Sequence, residues 1–230
     1  MTRGLVLTGG GARGAYQAGV LKGIAEVLGN TTRIPFPIVA CSSAGAINGE
    51  YYGDGSIRNS NPLSPAIRLG ANQLCIIGVR NYSEEVTSSQ DLRPSFSRLF
   101  SIMLNALFLD AVDSDLERLR LNNKLCRDVC DIEDRKIKPI DTLHIHPCVD
   151  ISEIAYDHAN RLPPSLKRFM LLLGSLREAS ALISYLMFDK DYCCALTQLG
   201  YQDALQQAAP VLRFFRTRRT RQLNRATGRH

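Results

Sequence analysis

The run Gly9-Gly10-Gly11-Ala12-Arg13-Gly14 constrains this chain more than any other feature, because it sits between the apolar Leu5-Val6-Leu7-Thr8 and a helical pattern reaching Leu28. Glycines at a strand-to-helix junction let the backbone turn sharply and present N–H groups at a helix N-terminus, where negative charge is stabilised. The following stretch has Ala15, Ala18, Gly19, Leu21, Ile24, Ala25 and Leu28 on one face, with small residues suited to close packing. After Gly29-Asn30 and a loop, Phe36–Cys41 reads as a second buried strand, and the small residues Ser42–Ala46 as a tight turn entering a helix. Strand, helix, strand, helix in this order predicts a parallel sheet with crossover helices.

The rest of the chain continues that pattern. Tyr51–Asp54 reads as a strand, Asn61-Pro62 opens a short helix to Leu69, and Gln73–Val79 is a central strand. Residues 97–128 read as helical, with Asp110, Asp113 and Asp115 early and Lys124 and Arg127 late, which complements the helix dipole. Ile140–Val149 reads as another strand, and Leu166–Phe215 as helical with Pro163-Pro164 as its boundary.

Composition sets the class. At 230 residues, 45% apolar and 22% charged, the chain can bury a core and is expected to fold as one domain over 1–212, helical in its 164–212 part. The net charge of +6 belongs to the end: residues 213–230 carry seven arginines and no acid, and the remainder sums to −1. That basic tail is suited to peripheral contact with an anionic membrane, and no nucleic-acid partner is expected. Nothing at the start resembles a secretory signal, and the apolar stretch Phe169–Phe188 is interrupted by Gly174, Arg177 and Glu178, so a cytoplasmic protein is expected. That stretch is expected to pack over the sheet. Seven cysteines without a framework spacing read as free, buried thiols.

Two turns carry the chemistry. The first, Gly9–Gly14, literally satisfies G-x-G-x-x-G, but the next strand ends at Ala40-Cys41 rather than in the acid a dinucleotide ribose needs. No Gly-Lys-Ser/Thr follows, so it is not a P-loop. Alone, the turn suits an oxyanion hole about as well as a nucleotide or structural role. The second, Cys41-Ser42-Ser43-Ala44-Gly45, follows a buried strand and precedes a helix, the setting of a nucleophile elbow. A serine-rich helix cap is the competing reading. The glycine turn one crossover earlier favours the elbow, since both lie at the same sheet edge.

In these residues the chain resembles the patatin-like phospholipase family. Residues 9–21 are similar to that family's opening motif, 41–49 to its serine motif, and 52–67 to its aspartate motif, with Asn105–Leu119 and Ser184–Ala204 similar to bacterial members. The resemblance implies a three-layer α/β/α fold with a mainly parallel sheet and acyl-ester hydrolysis through a Ser–Asp dyad. Ser43 would be nucleophile and Asp54 base, with Gly9, Gly10, Gly11, Ala12, Arg13 and Gly14 forming the oxyanion hole and Arg13 supporting that loop. Cys41, Ser42, Ala44 and Gly45 would shape the elbow. It implies lipid or other acyl-ester substrates, no metal and no cofactor.

Two departures stand out. Cys41 replaces the elbow's first glycine, and Ser43 and Asp54 are only eleven positions apart, as though a segment were deleted and the sheet shortened. The alternatives are a catalytically impaired or regulatory protein retaining the scaffold, and a nucleotide-binding module. Elsewhere, His144, His146 and Cys148 have the period-2 spacing of metal ligands on one strand face, but no fourth ligand is evident and strand-end surface histidines are expected. Cys126 with Cys130, and Cys193 with Cys194, read as core fillers.

Overall fold

The computed structural model describes residues 2–29, 35–42, 62–82, 96, 99–100, 102–103, 110–128, 139–173 and 175–216. Four strands form one sheet in the order β2-β1-β3-β4: β1 Arg3–Leu7, β2 Ile38–Cys41, β3 Gln73–Ile77 and β4 Asp141–Ile145. Every pairing is parallel, with Leu7 opposite Cys41 on one side and Ile77 on the other, and Ile77 opposite Ile145. The carboxyl ends of all four strands therefore share one edge of the sheet.

Alternation along the strands divides the core in two. Leu5, Leu7, Cys75, Ile77, Leu143 and Ile145 face one layer; Val6, Leu74 and Ile76 face the other. The first layer contains α1 (Gly14–Val27), α4 (Ile151–His158), α5 (Pro164–Leu173), α6 (Ser180–Leu186), α7 (Lys190–Gln206) and α8 (Ala208–Arg216). The second contains α2 (Ser64–Arg68) and α3 (Asp110–Asp128). The expected three-layer α/β/α architecture with a parallel sheet is thus present. β1 leads into α1 on one face and β3 toward α3 on the other, so the chain parts at the carboxyl edge beside β1, where open α/β sheets hold their sites.

The tightest junction in the first layer is α1 against α7. A Cβ on Gly19 would overlap the Thr197 carbonyl, and one on Gly200 would overlap the Tyr16 carbonyl, so the backbones meet where side chains would otherwise separate them. Polar groups tie the same pair. The Tyr16 hydroxyl donates to Asp203 Oδ2 (2.9 Å), and Thr197 Oγ1 donates to the Ala15 carbonyl (3.2 Å). Burial, then the Asp203 carboxylate, push the Tyr16 phenol above its ordinary range.

The C-terminal helical region is broken more often than its apolar pattern suggests. Glu178 accepts from Ser175 N–H and Oγ–H, each at 3.0 Å, in the junction between α5 and α6. Asp189 caps α7 by accepting from the amides of Asp191 and Tyr192. α4 lies ahead of the Pro163-Pro164 boundary, where no helix was expected; Asp150 caps it by accepting from Ser152 N–H. Helix α8 also continues past position 212, because Phe214 is buried and Phe215 meets the Phe36 ring at 5.5 Å.

The stretch 169–188 is divided between layers of exposure. Met170, Leu182 and Ile183 are buried, whereas Phe169, Leu172 and Phe188 face outward. Among the described residues, no helix is long and apolar enough to cross a membrane. The six described cysteines are free, but only Cys75 is buried and Cys148 and Cys194 are exposed. The core-filler reading therefore fails for Cys194, while Cys130 lies outside the described residues.

Candidate active site

The glycine turn leaves β1 at the carboxyl edge. Gly10 lies against the Val79 side chain beyond β3, and Gly11 adopts φ 56°, a left-handed conformation that favours glycine. A Cβ on Gly11 would also run into the Tyr185 carbonyl of α6, so the position excludes every other residue on two counts. A single 3-10 turn, Gly11–Arg13, follows, closed by Arg13 N–H donating to the Gly10 carbonyl (3.1 Å) and leading into α1. At the start of a helix the leading amides lack intrahelical acceptors, so Gly10, Gly11 and Ala12 are the N–H groups available to an incoming negative charge.

Arg13 holds this turn in place. Its side chain is buried, its Nε donates to Ser184 Oγ (2.8 Å), and one Nη reaches the Ala181 carbonyl (3.4 Å) and Ser152 Oγ (3.5 Å). The guanidinium also lies over the Tyr185 ring, 4.1 Å from its centroid. The planar, many-donor head group joins three elements at once, which a lysine could not do. Ser184 and Tyr185 are thus part of the site's framework. Sequence reasoning passed over them, since nothing in an apolar helix marks one serine as an arginine acceptor.

Gln17 is the second residue that was missed. Its Nε2 donates to the Thr8 carbonyl (2.8 Å) and the Ile77 carbonyl (3.1 Å), fastening the end of β1 to the end of β3 from α1. Its sequence signal is weak, a single glutamine one turn into a helix of mostly small and apolar residues, and only the fold shows that it is fully buried.

β2 brings the second turn to the same edge. Cys41 pairs with Leu7, and Ser42 N–H donates to the Leu7 carbonyl (3.0 Å), two residues before the glycine turn begins. Cys41 is half-buried, packs against the first core layer, and burial pushes its thiol pKa up. Ser43, Ala44, Gly45 and Asp54 lie outside the described residues, as does the strand expected at Tyr51–Asp54.

The histidine pair sits further along the edge. His144 on the second face of β4 and His146 just past its end have ring centroids 5.4 Å apart, and Tyr82 stands edge-on to both. The Tyr82 hydroxyl donates to Asp113, which Arg80 also engages at 3.3 Å. Asp113 therefore serves this cluster more directly than the dipole of α3, and Asp115 accepts from the Leu63 amide (3.3 Å) ahead of α2. Cys148 has left the strand, and its amide donates to Asp203 Oδ2 (3.2 Å). The three do not converge, and no metal-holding group of three or more ligands occurs among the described residues. His144 is not a surface residue either: burial and the positive charges of His146 and Arg120 lower its pKa to about 4.

Comparison with known proteins agrees with the N-terminal unit. Residues 5–49 match the family model described as patatin-like phospholipase, a span that runs from β1 through the glycine turn, α1 and β2. No curated protein matches the chain. Through residues 5–49, and in its parallel α/β/α architecture, this chain is similar to the patatin-like phospholipase family.

Proposed function

We infer that the protein is a serine lipid acyl hydrolase in which Ser43 attacks the acyl carbonyl and Asp54 accepts the serine proton. The turn amides of Gly10, Gly11 and Ala12 hold the oxyanion. The observation that carries this reading is the junction at the carboxyl edge: Ser42, the residue before Ser43, is hydrogen-bonded to Leu7, and the glycine turn opens two residues after Leu7. A nucleophile and oxyanion donors have to sit within a few ångströms of one reacting carbon, and turns that follow adjacent parallel strands at one edge are suited to that.

The chemistry follows in two steps. Asp54 withdraws the hydroxyl proton as Ser43 Oγ bonds to the carbonyl carbon, and the oxygen becomes an alkoxide facing the turn amides. Collapse expels the alcohol, which takes the proton, and leaves an acyl-serine. Water, deprotonated by the same carboxylate, then releases the fatty acid and restores Ser43. Arg13 contributes by rigidity, because donors already aimed at the alkoxide need no reorganisation during reaction. The substrates are acyl esters of lipids, the class on which this family acts, and the Arg-rich end beyond α8 favours an anionic lipid surface.

A fluorophosphonate probe tests the reading. The folded chain is expected to label, and Ser43→Ala to lose the label entirely. A folded chain that stays unlabelled would overturn it.

A further inference from the structure

A cavity of about 780 Å³ opens between α3 and the edge strand β4, on the second face of the sheet. One wall is a stripe of α3 carrying Asp113, Glu117, Arg120 and Lys124 at three- and four-residue spacing, which puts them on one helix face. The opposite wall is the ring cluster of Tyr82, His144 and His146.

The charges in this cavity are unevenly satisfied. Asp113 already holds Arg80 and the Tyr82 hydroxyl. Among the described residues, no carboxylate lies within ion-pair distance of Arg120 or Lys124. His144 Nε2 is buried and has no hydrogen-bond partner among the described residues. Burial, then the neighbouring His146 and Arg120, keep the His144 imidazole neutral, so its orphan nitrogen can donate a hydrogen bond into the cavity without competing for a cation's partner. A small anion would satisfy what the protein leaves open there.

We propose that this cavity binds a small organic phosphate, with its oxygens held by Arg120 and Lys124 and its organic part lying along the Tyr82 and His146 rings. Two cations one helical turn apart suit a group that presents several charged oxygens in different directions, and arginine's fork matches two of them. The cavity is much larger than a phosphate group, so the ligand carries an organic part. Glu117, on the same stripe, accepts from a hydroxyl of that part and disfavours a ligand that is anionic throughout. The site does not involve Ser43 or the glycine turn, so it stands or falls separately from the hydrolase reading.

Calorimetric titration of the full chain at constant ionic strength tests this with inorganic phosphate and with glycerol 3-phosphate. Saturable binding of glycerol 3-phosphate is expected. Arg120→Gln and Lys124→Gln should each weaken it roughly tenfold, the scale of one charge-assisted hydrogen bond. Ser43→Ala should leave it unchanged, as should Arg118→Gln, whose side chain meets Asp115 instead. Both cavity side chains are exposed, so these variants keep the fold, and circular dichroism checks this. Saturable binding of glycerol 3-phosphate that both substitutions weaken supports the site, whether or not inorganic phosphate also binds. Binding of neither probe, binding of inorganic phosphate alone, or affinity that survives either Arg120→Gln or Lys124→Gln overturns the proposal.

Discussion

Arg13 Nε donates to Ser184 Oγ at 2.8 Å across 171 positions of sequence, the shortest of the contacts by which Arg13 ties the glycine turn to α6. The same helix supplies the Tyr185 carbonyl that lies against Gly11 and the Tyr185 ring beneath the guanidinium. The turn therefore takes its shape from both sides: glycine conformations within, and a buried arginine without. Arg13→Ala should lower unfolding free energy by about 3 kcal/mol, the sum of lost charged hydrogen bonds and packing. Arg13→Lys should recover little, since a single ammonium cannot reach Ser184, Ala181 and Ser152 together. Urea unfolding of the three proteins measures both effects.

Two glycines with positive φ should respond very differently to alanine. Gly29 (φ 62°) has nothing within 4 Å of a new Cβ, so Gly29→Ala should cost only the left-handed backbone term, about 1 kcal/mol. Gly11→Ala adds overlap with a backbone carbonyl and should cost about 3 kcal/mol or more as α6 is displaced. Thermal unfolding separates them. Fluorophosphonate labelling should also fall for Gly11→Ala alone.

His144 makes stability depend on acid. Its imidazole titrates at about 4 in the folded protein and at 6.5 when unfolded, so between those values only the unfolded chain binds the proton. Stability is therefore unaffected by this group above pH 6.5 and is lost as pH falls toward 4. Between pH 7 and pH 4.5 the native protein should lose about 2 kcal/mol more than His144→Leu. Urea midpoints at the two pH values give the difference, and equal losses would contradict it.

Asp54→Asn tests the base separately from the nucleophile. Hydrolysis of a p-nitrophenyl ester should drop roughly 10²–10⁴-fold, the contribution of a positioned general base. Folding should be unchanged by circular dichroism. Activity retained within a factor of a few would remove Asp54 from the mechanism while leaving Ser43 in place.

Local signals were enough for the N-terminal unit. The apolar run at Leu5–Leu7, the glycines and the small-residue face of the next helix gave β1, the turn and α1 nearly residue by residue. β3 was as legible, because all five of its residues, Gln73–Ile77, are buried and read as one run. The later helices were not, because their breaks depend on side chains reaching backbone two or three residues away. Asp150 before Ser152, and Asp189 before Tyr192, are such caps. They resemble ordinary surface acids until the chain is folded.

By itself, then, the sequence determined the first strands, the glycine turn and the helix after it, since these follow from hydrophobic period and from glycine's missing side chain. Only the tertiary structure decided which distant groups hold the glycine turn in place. Arg13 reaches Ser184, Gln17 joins Thr8 to Ile77, and Gly19 and Gly200 bring α1 against α7. These contacts span from 9 to more than 170 positions and depend on where whole layers pack. No local pattern encodes such distances, because a buried donor is placed by the element that carries it and satisfied by one it has never met in sequence.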